Sequence, residues 1–225
     1  MISPSYFFDL SDFPHAAIFD SILEPWLVIA HIQNYLLSLP LGKIEGKISP
    51  QAYLINPEYI TIEPGTIVEP GAYIQGPCWI GKNCHVRHGA YIRGNLITGD
   101  GCVIGHDTEI KNVLFLNHVH AAHFAYVGDS ILGNRVNLGA GTKCANLKLN
   151  QQLISLHIEG KRIPTQLKKL GAIIGDGSQI GCNAVLNPGT LVGKEVLCHP
   201  CLNIGGMIPT RSIVKSPSNL VISSY

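Results

Sequence analysis

The sequence predicts an all-β fold, a left-handed parallel β-helix of hexapeptide repeats with a short N-terminal helical segment. The first observation is a strict six-residue interval between mostly apolar residues. This interval matches neither the 3.6-residue period of a helix nor the two-residue period of a half-buried strand. It is the period of a hexapeptide β-helix. The positions are Ile62, Val68, Ile74, Ile80, Val86, Ile92, Thr98, Ile104, Ile110, Ile174, Ile180, Leu186, Val192, Cys198 and Ile204.

The second observation is a column of small residues, four positions after each of these. Three hexapeptides make one triangular coil of about 18 residues, in which the small residue fits close to a corner. Leu96, Val196 and Leu202 are larger exceptions. The small residues are Thr66, Ala72, Cys78, Cys84, Ala90, Cys102, Thr108, Ser178, Ala184 and Thr190.

The pattern divides the chain into a helical segment, residues 1–45, and a β-helix domain, residues 46–225, with an inserted arm at 147–171. A helix is predicted from Pro25 to Ser38, because proline suits a first helical turn and an apolar stripe follows it. We expect the stripe to pack on the β-helix or on a neighbouring subunit. Its members are Trp26, Ile29, Ile32, Tyr35 and Leu36.

The coils are predicted to run in two stretches. The first stretch reaches residue 146 but loses its interval between Asn112 and Ala122, and Val127 restores it. The second begins at Ala172 and continues to about Ile213. The interruption marks a segment that departs from the regular coil.

The inserted arm is predicted to project as a hairpin, because residues 153–159 alternate and Gly160 follows at a turn. Five basic residues against Glu159 give it a net charge of +4, in a chain whose total is +1. That charge suits an anionic ligand, although a solvated loop whose lysines keep it soluble is an equal alternative. The basic residues are Lys148, Lys161, Arg162, Lys168 and Lys169.

Composition narrows the classes of partner. A net charge of +1 without blocks of like charge does not favour nucleic acid. The longest apolar stretch, residues 26–41, is broken by polar residues, and no targeting signal is evident, so we expect a cytoplasmic protein without a membrane partner. Most of the seven cysteines fall at small or interior positions, which predicts neither disulfides nor a metal site at Cys198 and Cys201.

Two cations share one predicted corner. Arg93 and Lys111 each directly follow an interior position and are separated by the length of one coil. They are therefore expected at the same place on successive coils, roughly 4.8 Å apart. Stacked cations repel, and a phosphate would stabilise them. The alternative is a structural carboxylate partner, Asp107 or Glu109.

Three histidines, His118, His120 and His123, lie where the six-residue interval is lost. Broken periodicity with clustered histidines indicates a site rather than a core. A histidine is the usual general base near neutral pH and could take a proton from an attacking amine. Three close histidines could instead hold zinc with a fourth position open for water.

Several motifs resemble a known family. The segments YIRG, EIKN, HFAYVGDSILGNRVNLGAGTKCANL and KKLGAIIGD are similar to the acetyltransferase half of the bifunctional glucosamine-1-phosphate acetyltransferase and UDP-N-acetylglucosamine pyrophosphorylase. The arm and KLGAIIGD resemble its archaeal-type members most. The resemblance spans most of residues 60–215. It implies acetyl transfer from acetyl-CoA to the amine of an amino-sugar 1-phosphate, glucosamine-1-phosphate above all, with galactosamine left open.

The resemblance also implies residue roles on the acceptor side. His123 matches the catalytic base that would deprotonate the sugar amine, while Asn137 and Asn146 would orient the sugar and its amine. Lys169 resembles a lysine that reaches the acceptor phosphate of a neighbouring subunit. The implied acceptor ligands are Arg93, Lys111, Tyr126 and Lys169.

On the donor side, the main chain around Gly139 and Ala140 matches the place where the family holds the acetyl group, and its donors could steady the tetrahedral oxyanion. Cys182, His199 and Pro200 depart from the small residues of the family. The implied coenzyme A contacts are Ala140, Cys182, Pro200 and Lys215.

The resemblance further implies a homotrimer with active sites between subunits. Because the predicted coils begin near residue 46, we do not expect the Gly-rich nucleotide-binding half or uridylyl transfer. Two alternatives remain. One is a γ-type carbonic anhydrase, whose zinc ligands would include His118, His123 and an upstream His85 or His88. The other is a nonenzymatic scaffold left after loss of the first domain.

Overall fold

The computed structural model describes residues 2–216, and the end of the predicted domain at residue 225 lies outside them. These residues form a parallel β-helix with three faces, which confirms the predicted fold class. The first face is a ladder of nine strands. They are β1 (Lys47–Ile48), β4 (Ile67–Val68), β7 (His85–Val86), β10 (Val103–His106), β12 (His120–His123), β14 (Asn137–Leu138), β19 (Gln179–Ile180), β22 (Leu197–Cys198) and β25 (Ile213–Val214).

The second and third faces share two long strands, β11 and β13, that bend around the corner between them. The second face comprises β2 (Tyr53–Ile55), β5 (Tyr73–Gln75), β8 (Tyr91–Ile92), β11 (Glu109–Phe115), β13 (Tyr126–Leu132), β15 (Lys143–Cys144), β20 (Val185–Leu186) and β23 (Asn203–Ile204). The third face adds β3 (Ile60–Ile62), β6 (Cys78–Ile80), β9 (Leu96–Thr98), β18 (Ala172–Ile174), β21 (Thr190–Val192) and β24 (Met207–Ile208).

The six-residue positions fill the interior, as predicted. Ile74, Ile92 and Ile110 pair in register on successive coils and are fully buried. Burial of each such side chain stabilises the folded state by about 1.5–3 kcal/mol. The small column is polar in places because it reaches the main chain of the next coil: Thr66 Oγ1 donates to Gly81 O at 2.6 Å, and Ser178 Oγ donates to Gly193 O at 2.8 Å.

The lost interval has a simpler origin than an irregular segment, and that interpretation was wrong. Ile110 pairs with Val127 and Val127 with Cys144, so each of these two coils is one residue shorter than the regular coil. The missing residue lies at the corner between the second and third faces, where Asn112 and Asp129 adopt left-handed conformations with φ of 54° and 46°. The histidine segment itself is regular strand and corner.

The N-terminal segment covers the third face. It contains α1 (Pro4–Phe7), 3-10 turns at Ala16–Phe19 and Pro25–Leu27, and α2 (Val28–Leu37). The last turn and α2 together match the predicted helix. Trp26 and Ile32 are fully buried in one cluster with the outward side chains Leu114 and Ile131 of the third face. The apolar stripe is therefore satisfied within the chain and gives no indication of a neighbouring subunit.

The arm forms the predicted hairpin, from β16 (Ser155–Ile158) and β17 (Lys161–Pro164), paired antiparallel. It does not project freely, because Ile154, Leu156 and Ile158 are buried in the cluster on the third face. Its basic tip at Lys161 and Arg162 is exposed. None of the helices among residues 2–216 combines the length and apolar character needed to cross a membrane.

Candidate active site

One edge of the β-helix, between the first and second faces, carries His123 and three of the expected donor contacts. His120 pairs with Asn137, Leu138 with Ile180, and Ile180 with Cys198. Continuing this register past the strand ends places four residues one above another on successive coils, about 14 Å from first to last. They are His123, Ala140, Cys182 and Pro200. We call this column the His123 edge.

Main-chain hydrogen bonds fix this column. Gly141 N–H donates to His123 O at 3.1 Å, Asn183 N–H donates to Ala140 O at 2.8 Å, and Cys201 N–H donates to Cys182 O at 2.8 Å. Among the described residues, the Ala140 N–H has no acceptor, so it is available to a ligand. Lys215 lies beside His199, whose N–H donates to Val214 O at 2.9 Å, at the far end of the same edge.

The His123 side chain is exposed, and the nearest aromatic ring is that of Phe124, 6.4 Å away between centroids. The edge continues below it through His106, the strand partner of His123, and His88. The rings of His88 and His106 are stacked, 5.8 Å apart and within 11° of parallel. His123 thus has open access to solvent on the side of Ala140.

A second group lies at the corner between the second and third faces, and we call it the acceptor group. Arg93 N–H donates to Ile110 O at 2.9 Å, which places Arg93 directly beside Lys111, as their separation by one coil predicts. Arg93 Nη1 contacts Glu109 Oε1 at 2.7 Å, and Lys111 Nζ lies 3.7 Å from Asp129 Oδ2. Each cation therefore has a carboxylate partner.

The identity of those partners corrects part of the alternative derived from the sequence. Glu109 does neutralise Arg93, but Asp107 lies at the His123 edge, 3.3 Å from His106. The Arg93–Glu109 pair is half exposed, at 41% and 36%. An exposed pair of this kind stabilises little, so an incoming phosphate can replace the carboxylate.

Tyr126 and Asn146 complete the acceptor group. Burial raises the pKa of Tyr126, and the nearby Glu109 and Asp129 carboxylates raise it further, while a hydrogen bond with Asn146 lowers it. The phenol is therefore protonated at neutral pH and can donate a hydrogen bond. A methyl group at Gly128 would lie 2.6 Å from Asn146 Nδ2 and 2.7 Å from Tyr126 Oη, so the approach of these two side chains requires glycine there.

Sequence reasoning missed Asp129, which lies at the centre of this group and is buried. Its carboxylate accepts from Asn112 Nδ2 at 2.9 Å and from Asn146 Nδ2. These three residues occupy one corner on successive coils and form what we call the Asn112 ladder. The signal was present, since Asn112, Asp129 and Asn146 recur at the length of the shortened coils, but a frame of regular coils conceals it.

Of the remaining predicted residues, Lys169 lies next to the acceptor group and Asn137 lies on a different face. Lys169 pairs with Leu147 in an antiparallel bridge, and the following residue, Leu170, donates its N–H to Asn146 O at 3.0 Å. The structure therefore brings exposed Lys169 next to the acceptor group within one chain. Asn137 lies on the first face between His120 and Gln179, three positions before the His123 edge.

Within one chain the main chains that carry His123 and Lys111 lie apart. His123 and Gly128, the strand partner of Lys111, lie at opposite sides of the second face, a span of about 15 Å. The histidines do not converge either: His118 is at the far edge of the first face, His120 on it and His123 at its near edge. Among residues 2–216, no three His, Cys, Asp or Glu side chains are placed to hold a metal ion.

Known proteins resemble this chain along most of its length. A family model described as "GMPPB C-terminal domain" matches residues 74–162. The bifunctional sugar-1-phosphate nucleotidylyltransferase/acetyltransferase of Sulfurisphaera tokodaii is 32% identical over 79% of this chain and 44% of that protein. The Bifunctional protein GlmU of Methanococcus maripaludis is 32% identical over 91% of this chain and 49% of that protein.

Among solved structures, the UDP-N-acetylglucosamine acyltransferase from Campylobacter jejuni is 16% identical, with a TM-score of 0.46, over 72% of this chain and 69% of that chain. The chain spans about half the length of the curated relatives it matches. The chain is a hexapeptide-repeat β-helix, and its sequence is similar to about half the length of the bifunctional sugar-1-phosphate nucleotidylyltransferase/acetyltransferases.

Proposed function

We propose that this chain transfers an acetyl group from acetyl-CoA to the amine of an amino-sugar 1-phosphate, with glucosamine-1-phosphate as the acceptor. The observation that carries the proposal is the acceptor group: Arg93 and Lys111 adjacent on successive coils, with Tyr126 and Asn146 beside them. Two cations and a phenol suit a phosphate, and an amide suits a sugar hydroxyl or amine. The names of the relatives point to the same chemistry.

In this proposal the phosphate replaces Glu109 as the partner of Arg93 and contacts Lys111, which fixes the sugar. The amine attacks the thioester carbonyl of acetyl-CoA, which lies along the His123 edge toward Lys215. His123 takes the amine proton as the C–N bond forms, and coenzyme A leaves as its thiolate when the C–S bond breaks. The Ala140 N–H, which has no acceptor within residues 2–216, can donate to the oxyanion.

No cysteine is required as a nucleophile. Positioning the amine and the thioester in one cleft replaces a bimolecular encounter, and this alone contributes several kcal/mol to the lowering of the barrier. Burial raises the pKa of Cys78 and Cys144 to about 12. These interior thiols are therefore protonated and unreactive at neutral pH.

Because the acceptor group and His123 are separated within one chain, we propose a homotrimer in which each active site combines the acceptor group of one subunit with the His123 edge of the next. Mixing subunits tests this assembly. Arg93→Ala and His123→Ala chains should each be inactive alone. Co-assembled in equal amounts, they should recover about a quarter of wild-type activity, the share of sites that combine two intact groups. No recovery would contradict a shared site.

The decisive assay measures acetyl transfer to a panel of amino-sugar 1-phosphates. His123→Ala should lower kcat by roughly 100-fold or more, because the general base is lost. His106→Ala is the matched control, since His106 lies on the same edge one coil away and has no part in the proposed chemistry. Equal effects of the two substitutions, or a wild-type protein that acetylates none of these acceptors, would refute the proposal.

A further inference from the structure

We infer that Asp129 is a positioning residue of the acceptor site: it fixes the Asn146 amide with its oxygen turned outward, and it holds Lys111 beside that oxygen. The inference rests on the proposed function, because it describes how the acceptor is recognised. Asp129 is only 4% exposed and touches no acceptor itself. It acts through the two side chains that do.

The chemistry of a carboxylate dictates the amide orientation. A carboxylate only accepts hydrogen bonds, and the amides of Asn112 and Asn146 both turn their NH2 groups toward Asp129. The Asn112 amide is anchored further by donating to Ile29 O at 3.2 Å. Consequently the Asn146 oxygen is directed away from the ladder. Within the described part of the chain it accepts no hydrogen bond, so a substrate amine or hydroxyl can donate to it.

Tyr126 supplies the complementary atom. Asn146 Nδ2 and Tyr126 Oη lie close together, since a methyl at Gly128 would be 2.6 Å from the first and 2.7 Å from the second. The Asn146 NH2 group has a second hydrogen that can donate to the Tyr126 oxygen. The Tyr126 O–H is then free to donate outward. The site therefore offers one acceptor, Asn146 Oδ1, and one donor, Tyr126 O–H, next to two cations. An amino-sugar phosphate carries the matching N–H and P–O⁻ groups.

The same corner fixes the end of the arm. Gly171 N–H donates to Asp129 O at 2.8 Å, and Leu170 N–H donates to Asn146 O at 3.0 Å. These two bonds place Lys169 beside the acceptor group. Asp129 is thus tied to Lys111, Asn146 and the Lys169 segment at once.

The direction in which Asp129→Asn changes acceptor binding distinguishes the positioning of Asn146 from simple neutralisation of Lys111. If Asp129 served only as a counter-charge for Lys111, it would compete with the acceptor phosphate, and Asp129→Asn would strengthen binding. If it orients Asn146, the neutral variant loses that orientation, because its own NH2 group faces one of the two amide donors. Binding should then weaken by tenfold or more.

The test is calorimetric titration of glucosamine-1-phosphate into the wild-type protein, Asp129→Asn and Asp176→Asn. Asp176 is the matched control: it is another buried aspartate bonded to an asparagine, at a different corner. We expect a Kd at least tenfold higher for Asp129→Asn and within twofold of wild type for Asp176→Asn. An unchanged or lower Kd for Asp129→Asn overturns the inference and leaves the proposed function standing. A wild-type protein that binds no acceptor overturns both.

A second pair of variants covers the case in which Asp129→Asn does not fold. Asn146→Ala and Asn146→Asp should both raise the Kd about tenfold, although Asn146→Asp keeps an outward oxygen. It lacks the donor that Asp129 engages. Wild-type affinity in Asn146→Asp would show that orientation by Asp129 is unnecessary and would overturn the inference.

Discussion

Two asparagine–aspartate ladders run along this β-helix, at the two corners of its third face, and they differ in what completes their hydrogen bonds. In the Asn112 ladder the main chain accepts only from Asn112, through Ile29 O, and within residues 2–216 the Asn146 oxygen accepts no hydrogen bond. The other consists of Asn117, Asn134 and Asp176, and we call it the Asn117 ladder. There the main chain of the N-terminal segment occupies the outward positions.

The bonds of the Asn117 ladder leave little unsatisfied. Asp176 accepts from the main-chain N–H of Asn134 and of Asp9, both at 2.7 Å. Asn134 Nδ2 donates to Asp9 O at 2.8 Å, and Asn117 Nδ2 donates to Asp12 O at 3.0 Å. The same residue types therefore make a clamp at one corner and the proposed acceptor-binding surface at the other. In the Asn117 ladder the main chain of the N-terminal segment accepts from both asparagines, whereas in the Asn112 ladder it accepts from Asn112 and not from Asn146.

The largest effect is expected from a substitution that breaks the Asn117 ladder. Asp176→Ala should lower the free energy of unfolding by about 4 kcal/mol, because two main-chain N–H groups and one amide lose their acceptor. For a chain of this size the melting temperature should fall by about 10 °C. Calorimetry measures the loss, and limited proteolysis of the segment that precedes α2 locates it. Loss of less than about 1 kcal/mol would contradict the clamp.

Low pH should also destabilise the N-terminal segment that covers the third face, through protonation of a different residue. Burial lowers the pKa of His15 to about 4, and a nearby carboxylate, Asp100, raises it only in part. Because the unfolded state holds the proton more tightly, stability is complete above about pH 6.5. It is lost as the pH falls toward 4, by up to about 3 kcal/mol. Urea unfolding across this range measures it, and His15→Phe should flatten the profile. An equally steep profile in His15→Phe would contradict the assignment.

The smallest effect concerns the Asn112 ladder. Gly128→Ala should raise the acceptor KM about tenfold and leave the acetyl-CoA KM unchanged, since the added methyl forces Asn146 and Tyr126 apart. Gly205→Ala is the control: it lies at the same corner three coils further along, where a methyl would be 3.3 Å from Asn187 Nδ2. Steady-state kinetics with both substrates distinguishes them. Equal KM values would contradict the close packing proposed for the acceptor group.

Sequence reasoning succeeded where periodicity acts directly. The six-residue interval predicted the coils, and a separation of one coil predicted that Arg93 and Lys111 lie side by side. Helical and hairpin patterns also predicted α2 and the arm. All four depend on local repetition, which a sequence displays without knowledge of packing.

Sequence reasoning failed where the corner between the second and third faces is one residue shorter. One missing residue at Asn112 and another at Asp129 shift the frame, so a regular stretch looked irregular and Asp129 escaped notice. His118 and His123 looked clustered because they are close in the sequence. Strand residues advance by about 3.3 Å each, so these side chains are about 16 Å apart. Proximity along a chain misleads when the chain is extended.

The cover over the third face was also beyond the sequence pattern. Phe7, Phe8 and Phe13 are buried there, but their spacing follows neither helix nor strand. Their place is set by the Asn117 ladder, which holds the main chain of residues 9–12 in an irregular path. Such a path has no period to detect.

The two shortened coils have a consequence for protein engineering. The coils that join Ile67 to His85, His85 to Val103 and Ile92 to Ile110 keep the regular module of three hexapeptides, as does the coil from Gln179 to Leu197. Each of the two coils between Ile110 and Cys144 is one residue shorter. A graft that exchanges a module across this junction would turn every later interior side chain outward by one position. Chimeras with related solenoids will therefore retain a hydrophobic core only when the donor segment is cut in phase with Asn112.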